Sequence, residues 1–139
     1  MNIYLSEFSV LDSISRGNSY DDDIDEFLSF CQKNNLSIFR SDEFSDYETI
    51  ESKIRKSNLL VAFVDDYWLS STWKLHELLY SIGDYAPMGK EGGKAENLDV
   101  AIFYVKDIDA PILENIKLEV TELRSLEDLK SYVLSRNYA

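Results

Sequence analysis

An unbroken apolar run, Leu59-Leu60-Val61-Ala62-Phe63-Val64, stops at two aspartates, Asp65 and Asp66. A run without polar alternation fits a strand covered on both faces, as in a parallel sheet packed between helices. The loop after it leads into a helical pattern that ends near Gly83 and has two faces. Leu75, Leu78, Leu79 and Ile82 recur at i, i+3, i+4, i+7 and predict a stripe for the core. Trp73, Glu77 and Tyr80 recur at i, i+4, i+7 and, at about 100° per residue, are expected nearly opposite that stripe, toward water. On one reading these are ordinary surface residues, the glutamate being favoured early in a helix by the helix dipole. On the other they line a cleft beyond the strand ends, where open α/β sheets bind ligands. Trp73 then offers a stacking surface and Glu77 a charge aimed at the ligand.

The rest of the chain alternates strand and helix. Asn2 to Leu5 is expected as a first strand, followed by a polar loop from Ser6 to Asn18. Ile24, Phe27, Leu28 and Cys31 mark the core face of a first helix, with Ser19 and Asp22 as its capping box. Leu36 to Phe39 is a second strand. Ser45 with Glu48 forms another capping box, and Tyr47, Ile50 and Ile54 space a second helix. After the central strand and helix comes a long loop, Gly83 to Leu98, rich in glycine. Val100 to Val105 is a fourth strand and Leu118 to Thr121 a weaker fifth. Ser125 with Asp128 caps a last helix carrying Leu126, Leu129 and Val133. Repeated βα units with right-handed crossovers predict a flavodoxin-like, doubly wound α/β domain over residues 1–139, a parallel five-stranded sheet of order 2-1-3-4-5 with helices on both faces. The first and third strands then lie side by side. Their carboxyl ends release Ser6 to Arg16 and Asp65 to Ser71 into one crevice, which makes Ser6, Phe8, Arg16, Asp65 and Tyr67 candidate binding residues. Arg40, after the second strand, joins them.

Charge narrows the function. A net charge of −12 argues against nucleic-acid binding, which needs clustered Lys and Arg on phosphates. No apolar run approaches the roughly 20 residues of a membrane helix, and the opening MNIYLSEFSV has no secretory pattern. One cysteine cannot form an internal disulfide, which agrees with a cytoplasmic setting. One His and one Cys leave no nitrogen- or sulfur-based metal cluster. The carboxylates Asp21, Asp22, Asp23, Asp25 and Glu26 lack the spacing of a calcium loop and read as helix-start residues. No phosphate-binding glycine motif follows a strand, and no nucleophile elbow accompanies His76, which is expected on a helix surface. Cys31, in a core stripe, is expected to be inert.

A larger pattern joins these residues. Ile54-x-x-Ser57, then Leu60-Val61-Ala62-Phe63-Val64, then Tyr67-x-x-Ser70-x-x-Trp73-x-x-x-Glu77-Leu78 resembles the signature of Toll/interleukin-1 receptor (TIR) domains. Ile3-Tyr4-Leu5-Ser6 is similar to the first strand of that family, and Leu36-Ser37-Ile38-Phe39, with Asp42 after it, to the second. The resemblance covers most of the first 85 residues. Departures are Asp65 and Asp66 in place of a serine-containing turn, Lys74 where many members have cysteine, a short loop from Arg40 to Asp46, and the Gly83–Leu98 loop, which reads as an insertion.

The resemblance implies a bacterial-type TIR domain that uses NAD⁺ as substrate, with no further cofactor, and cleaves it between nicotinamide and ribose. Glu77 takes the part of the essential glutamate, with Trp73 packed against a ring or the ribose and Arg16 and Arg40 near the pyrophosphate. It further implies an ADP-ribose-type product, by hydrolysis or cyclisation, a downstream effector that senses it, homotypic self-association, and a setting in cell defence. Two alternatives stand beside it. One is a TIR module that only mediates interactions. The other is a phosphoacceptor receiver domain, with Asp65 at the end of the third strand; there only Glu7 follows the first strand, and Lys106 follows the fourth instead of the fifth.

Overall fold

The structure, a computed structural model, describes residues 1–8, 19–40, 46–82, 98–105, 110, 113–114 and 120–136. Within them β1 (Asn2–Ser6), β2 (Ser37–Arg40), β3 (Leu59–Val64), β4 (Asp99–Tyr104) and β5 (Thr121–Leu123) form one sheet of order β2-β1-β3-β4-β5. Every neighbouring pair is parallel, as the βα repeat requires. The helices are α1 (Ser19–Lys33), α2 (Tyr47–Arg55), α3 (Asp66–Leu69), α4 (Thr72–Ser81) and α5 (Leu126–Arg136). This is the flavodoxin-like α/β order expected from the sequence.

The two faces of the sheet follow the two-residue period of its strands. Ile3, Leu5, Leu59, Val61 and Phe63 pack with Tyr20, Ile24, Phe27 and Cys31 of α1 and with Leu129 and Val133 of α5. Tyr4, Leu60, Ala62 and Val64 pack on the other side with Ile50 and Ile54 of α2, Trp68 of α3 and Leu78 of α4. All six β3 residues are buried, which is why that strand carries no polar alternation. The Cys31 thiol lies in the first of these layers, and burial pushes its pKa up to about 12. The fifth strand falls later than Leu118 to Thr121. As a half-buried edge it needs no apolar run, so hydrophobicity alone marks it poorly.

Local signals set the helix ends. Asn35, at φ 57°, turns the chain out of α1, and Leu36 N–H returns to the Cys31 carbonyl at 2.9 Å while Asn35 N–H reaches that of Gln32 at 3.3 Å. That is a Schellman ending with asparagine in the left-handed position. Ser125 caps α5 through the Asp128 N–H at 3.1 Å, as its spacing predicts. The cap of α2 is Asp46, which accepts from Thr49 N–H at 2.8 Å, and not Ser45; either oxygen suits that position, and the register of the first turn selects Asp46. The loop expected from Asp65 to Ser71 contains a helical turn, α3, capped by Asp65. The Gly83–Leu98 loop falls outside the described residues except for Leu98, which is buried. Among the described residues no helix is long and apolar enough to cross a membrane.

The largest departure is in α4. Leu78 and Ile82 are buried as the stripe predicts, but Leu75 and Leu79 are only half-buried. Glu77 and Tyr80, expected to face water, are buried, and so are Lys74 and His76. The cause is packing on several sides: α4 touches β1 and β3 and also α2 and α3. A helix enclosed in this way has no broad polar side, and a wheel drawn for one-sided burial misplaces its residues.

Candidate functional site

Tyr4 and Ser6 lie two residues apart on β1 and therefore share a face of the sheet, toward α4. Ser6 pairs in register with Ala62 of β3. Two small side chains side by side leave depth there, and the Glu77 side chain of α4 fills it. Its carboxylate has no exposed surface. The Tyr4 hydroxyl donates to Oε2. The Ser6 hydroxyl donates to Oε1 at 3.2 Å, and Lys74 Nζ, one turn back on α4, lies 2.9 Å from the same oxygen.

The direction of the Ser6 hydrogen bond is fixed from behind. The fully buried Trp68 gives its indole N–H to Ser6 Oγ at 3.0 Å. An indole nitrogen only donates, so the serine proton is left to point at Glu77. Trp68 is itself held by Asp65, whose carboxylate accepts the Trp68 backbone N–H at 2.9 Å and so caps α3. Asp65, Trp68, Ser6 and Glu77 thus form one chain of contacts at the carboxyl ends of β1 and β3. On α4, Ser71 Oγ accepts the Lys74 backbone N–H at 3.3 Å and starts the helix that carries both Lys74 and Glu77.

These donors occupy three of the roughly four lone-pair positions of an ionised carboxylate, two on Oε1 and one on Oε2. On Oε2 the Tyr4 hydroxyl is the one donor among the described residues, and the oxygen is covered by the packing around α4. Burial raises the Glu77 pKa above the ordinary glutamate value, against the opposing pull of the Lys74 charge and the hydrogen bonds from Tyr4, Lys74 and Ser6. Such a group combines a weakly solvated anion with fixed donors, an arrangement suited to stabilising or attacking a developing cation.

The expected site residues do not all meet. Glu77 and Ser6 are joined directly. Asp65 caps α3 through the Trp68 N–H, since an acid at a strand end followed by a helical turn satisfies orphan N–H groups. Trp73 is 41% exposed and stacks on Tyr47 of α2 with ring centroids 4.0 Å apart, whereas Glu77 is fully buried. Tyr47 also meets the His76 ring at 4.2 Å. His76 is buried beside α2 instead of on an open surface, and desolvation lowers its pKa, with Glu51 acting the other way.

Arg40 is held by Glu7, its Nη2 at 2.5 Å and Nε at 3.2 Å from Oε1. Phe8 is half-buried, and its N–H donates to the Tyr20 hydroxyl at 2.9 Å; that hydroxyl in turn donates to the Phe63 carbonyl at 2.9 Å. The Phe8 backbone therefore helps tie the end of β1 to β3. Tyr67 is half-buried on α3. Arg16, Asp42 and Lys106 lie outside the described residues.

Tyr4, Lys74 and Trp68 are the residues the sequence reading did not place in the site. Signals for two of them were present, hydroxyls at alternate positions of an apolar strand for Tyr4 and a Lys–Glu pair at i, i+3 for Lys74, while none marked Trp68.

No protein-family model and no curated protein sequence matches the chain. Among solved structures, the chain is similar in fold to a CMP N-glycosidase from Clostridium botulinum, with a TM-score of 0.59 and 9% sequence identity over 97% of this chain and 99% of that one.

Proposed function

We propose that the protein cleaves the N-glycosidic bond of a nucleotide, with Glu77 as the carboxylate that meets the anomeric carbon of the ribose. The observation that carries this reading is the enclosure of Glu77 by Tyr4, Ser6 and Lys74 at the carboxyl ends of β1 and β3. Support comes from two sides. The fold is similar to that of a CMP N-glycosidase. The sequence around Glu77 resembles the W-x-x-x-E segment of TIR domains, which supplies NAD⁺ as a candidate substrate and homotypic assembly as a candidate state.

The chemistry asks for little besides the carboxylate. As the base departs with the bonding electron pair, positive charge spreads over the anomeric carbon and the ring oxygen. A carboxylate can stabilise that charge or bond to the carbon, and water then completes hydrolysis. Tyr4 and Ser6 hold the anion still, so the site does not reorganise as charge develops. The test is release of free base from NAD⁺, nicotinamide mononucleotide and CMP. Glu77→Gln is expected to lower the rate by on the order of 10²-fold or more while the fold is kept. Equal rates in the two proteins would end the assignment.

One observation favours a second, non-catalytic reading. A fully buried glutamate paired with a buried lysine also serves as an internal strut, and breaking it is costly. In that case the domain acts as an interaction module, and the exposed Tyr47–Trp73 stack is a natural contact surface. Absence of base release at high protein concentration, with lost stability in Glu77→Gln, would select it.

A further inference from the structure

We propose that Trp68 is a positioning residue for Glu77: through its indole N–H it holds the Ser6 hydroxyl as a fixed donor to the carboxylate that meets the sugar. The role rests on the N-glycosidase reading, and it gives control of that carboxylate to a residue one hydrogen bond removed from it.

The geometry is a relay of two hydrogen bonds. The Trp68 indole nitrogen lies 3.0 Å from Ser6 Oγ, which lies 3.2 Å from Glu77 Oε1. All three residues are fully buried, so water does not compete for these positions. Trp68 is anchored in its turn. Asp65 accepts its backbone N–H at 2.9 Å, and its ring packs in the layer of Tyr4, Ala62, Val64 and Leu78. An indole N–H has one proton and no lone pair to offer, whereas a hydroxyl has one proton and two lone pairs. With Trp68 donating to Ser6, the serine proton has the Glu77 carboxylate as its partner among the described residues.

Two effects of the indole then act on Glu77 in one direction. A hydroxyl that accepts a hydrogen bond is polarised and donates more strongly, so Trp68 strengthens the bond from Ser6 to the carboxylate. A hydroxyl also rotates about its C–O bond, and the position facing Trp68 is closed to the serine proton by the indole's own. Fewer idle orientations remain, and the donor stays aimed at Oε1. A donor fixed on a carboxylate favours its charged form, which is the form that stabilises or attacks a developing cation. Burial works the other way, toward the neutral acid, so each fixed donor counts.

The other groups that set the charge of Glu77 are Lys74 on α4 and Tyr4 on β1. In the same layer β3 presents Leu60, Ala62 and Val64, and α2 presents Ile50 and Ile54, none of which titrates. At the contact of α2 with α4, Glu51 acts on His76, and Arg55 donates to the Tyr80 hydroxyl at 2.9 Å. Asp65 caps α3. Trp68 carries no charge of its own, so its effect on Glu77 passes through Ser6.

The test titrates Glu77 in wild type, Trp68→Phe, Ser6→Ala and the double variant, by two readouts. One is carbon NMR of the glutamate carboxyls, with the Glu77 signal assigned by its loss in Glu77→Gln. The other is the acid limb of kcat/KM for base release from CMP and nicotinamide mononucleotide. Ser6→Ala is expected to raise the midpoint of both curves by about one pH unit or more, the size of a hydrogen bond to a charged acceptor. Trp68→Phe should raise it by a smaller step, on the order of half a unit. In the Ser6→Ala background the same tryptophan change should lose most of its effect, because the relay is already broken. A cavity or a loosened fold acts alike in both backgrounds, so the comparison separates positioning from packing. Where Trp68→Phe does not fold, the benzothiophene analogue of tryptophan, incorporated in a Trp73→Phe chain, keeps the ring shape without the N–H and should give the same shift. Midpoints that stay put on loss of the N–H, or that move equally in the two backgrounds, overturn the role of Trp68 and leave the glycosidase reading to its own test. The expected carboxyl shifts without base release from either substrate remove the glycosidase reading and keep the hold of Trp68 on the charge of Glu77.

Discussion

With its carboxylate enclosed by Tyr4, Ser6 and Lys74, Glu77 holds its proton more tightly in the folded chain than in the unfolded one, since loss of water outweighs the donors. The sign of the resulting pH dependence follows from linkage. A group whose folded pKa lies above its unfolded value contributes stability that is complete below the unfolded value, here 4.5, and is lost as pH rises through the folded value. Wild type measured against Glu77→Gln by denaturant unfolding should therefore lose relative stability as pH climbs from about 4.5 through the folded pKa. Base release that needs the ionised carboxylate should climb over the same window, so activity and stability are expected to move in opposite directions. A relative stability that grows with pH there would show that the Lys74 and Tyr4 contacts outweigh burial, and would remove the argument for a poorly solvated anion.

Among the elements, α3 is short and does the most for the site relative to its length. Its four residues, Asp66–Leu69, start at the Asp65 cap and carry Trp68 to Ser6. Removing the cap with Asp65→Ala is expected to cost about 0.5–2 kcal/mol in urea unfolding, whereas Asp65→Asn, with an equally good capping oxygen, should cost much less. Equal losses in the two variants would mean that the charge of Asp65 matters more than its cap. The strands that flank this element were legible from residue type. Leu59–Val64 is apolar throughout because both of its faces are covered, and the βα alternation then leaves few sheet orders. The surroundings of Glu77 were less legible. Its identity as the acid of the central helix could be read from spacing, but its burial depends on β1, α2 and α3 closing around α4. Periodicity within one helix holds no information about a third neighbour, so Glu77 was expected on the exposed side with Trp73 when it is fully buried. Asp65 shows the same limit: an acid at a strand's end suits a ligand or a helix cap, and only the turn after it decides.

Over the molecule as a whole, the acidic excess visible in the sequence sets a term that no single contact offsets. Twelve net negative charges are carried by a chain whose expected radius of gyration is about 14 Å. Two unit charges about 15 Å apart in water repel by about 0.3 kcal/mol, and several dozen such pairs amount to on the order of 10 kcal/mol before screening. Unfolding relieves much of this by moving the charges apart. The opposing surface ion pairs include Lys130–Glu26 at 2.8 Å between α5 and α1 and Arg136–Asp99 at 3.4 Å between α5 and β4. Exposed pairs of this kind are weak, because water screens them and ordering the side chains costs entropy, so the repulsion is the larger effect. Salt weakens both, and at about 0.1 M the screening length of about 10 Å is already shorter than the molecular radius. The unfolding midpoint is therefore expected to rise by a few degrees as sodium chloride is increased from about 10 mM to about 200 mM, a range that shortens the Debye length about fourfold. A midpoint that falls over this range would mean that the ion pairs holding α5 to α1 and β4 dominate the charge balance, and that the acidic excess lies far enough apart in the fold to repel little.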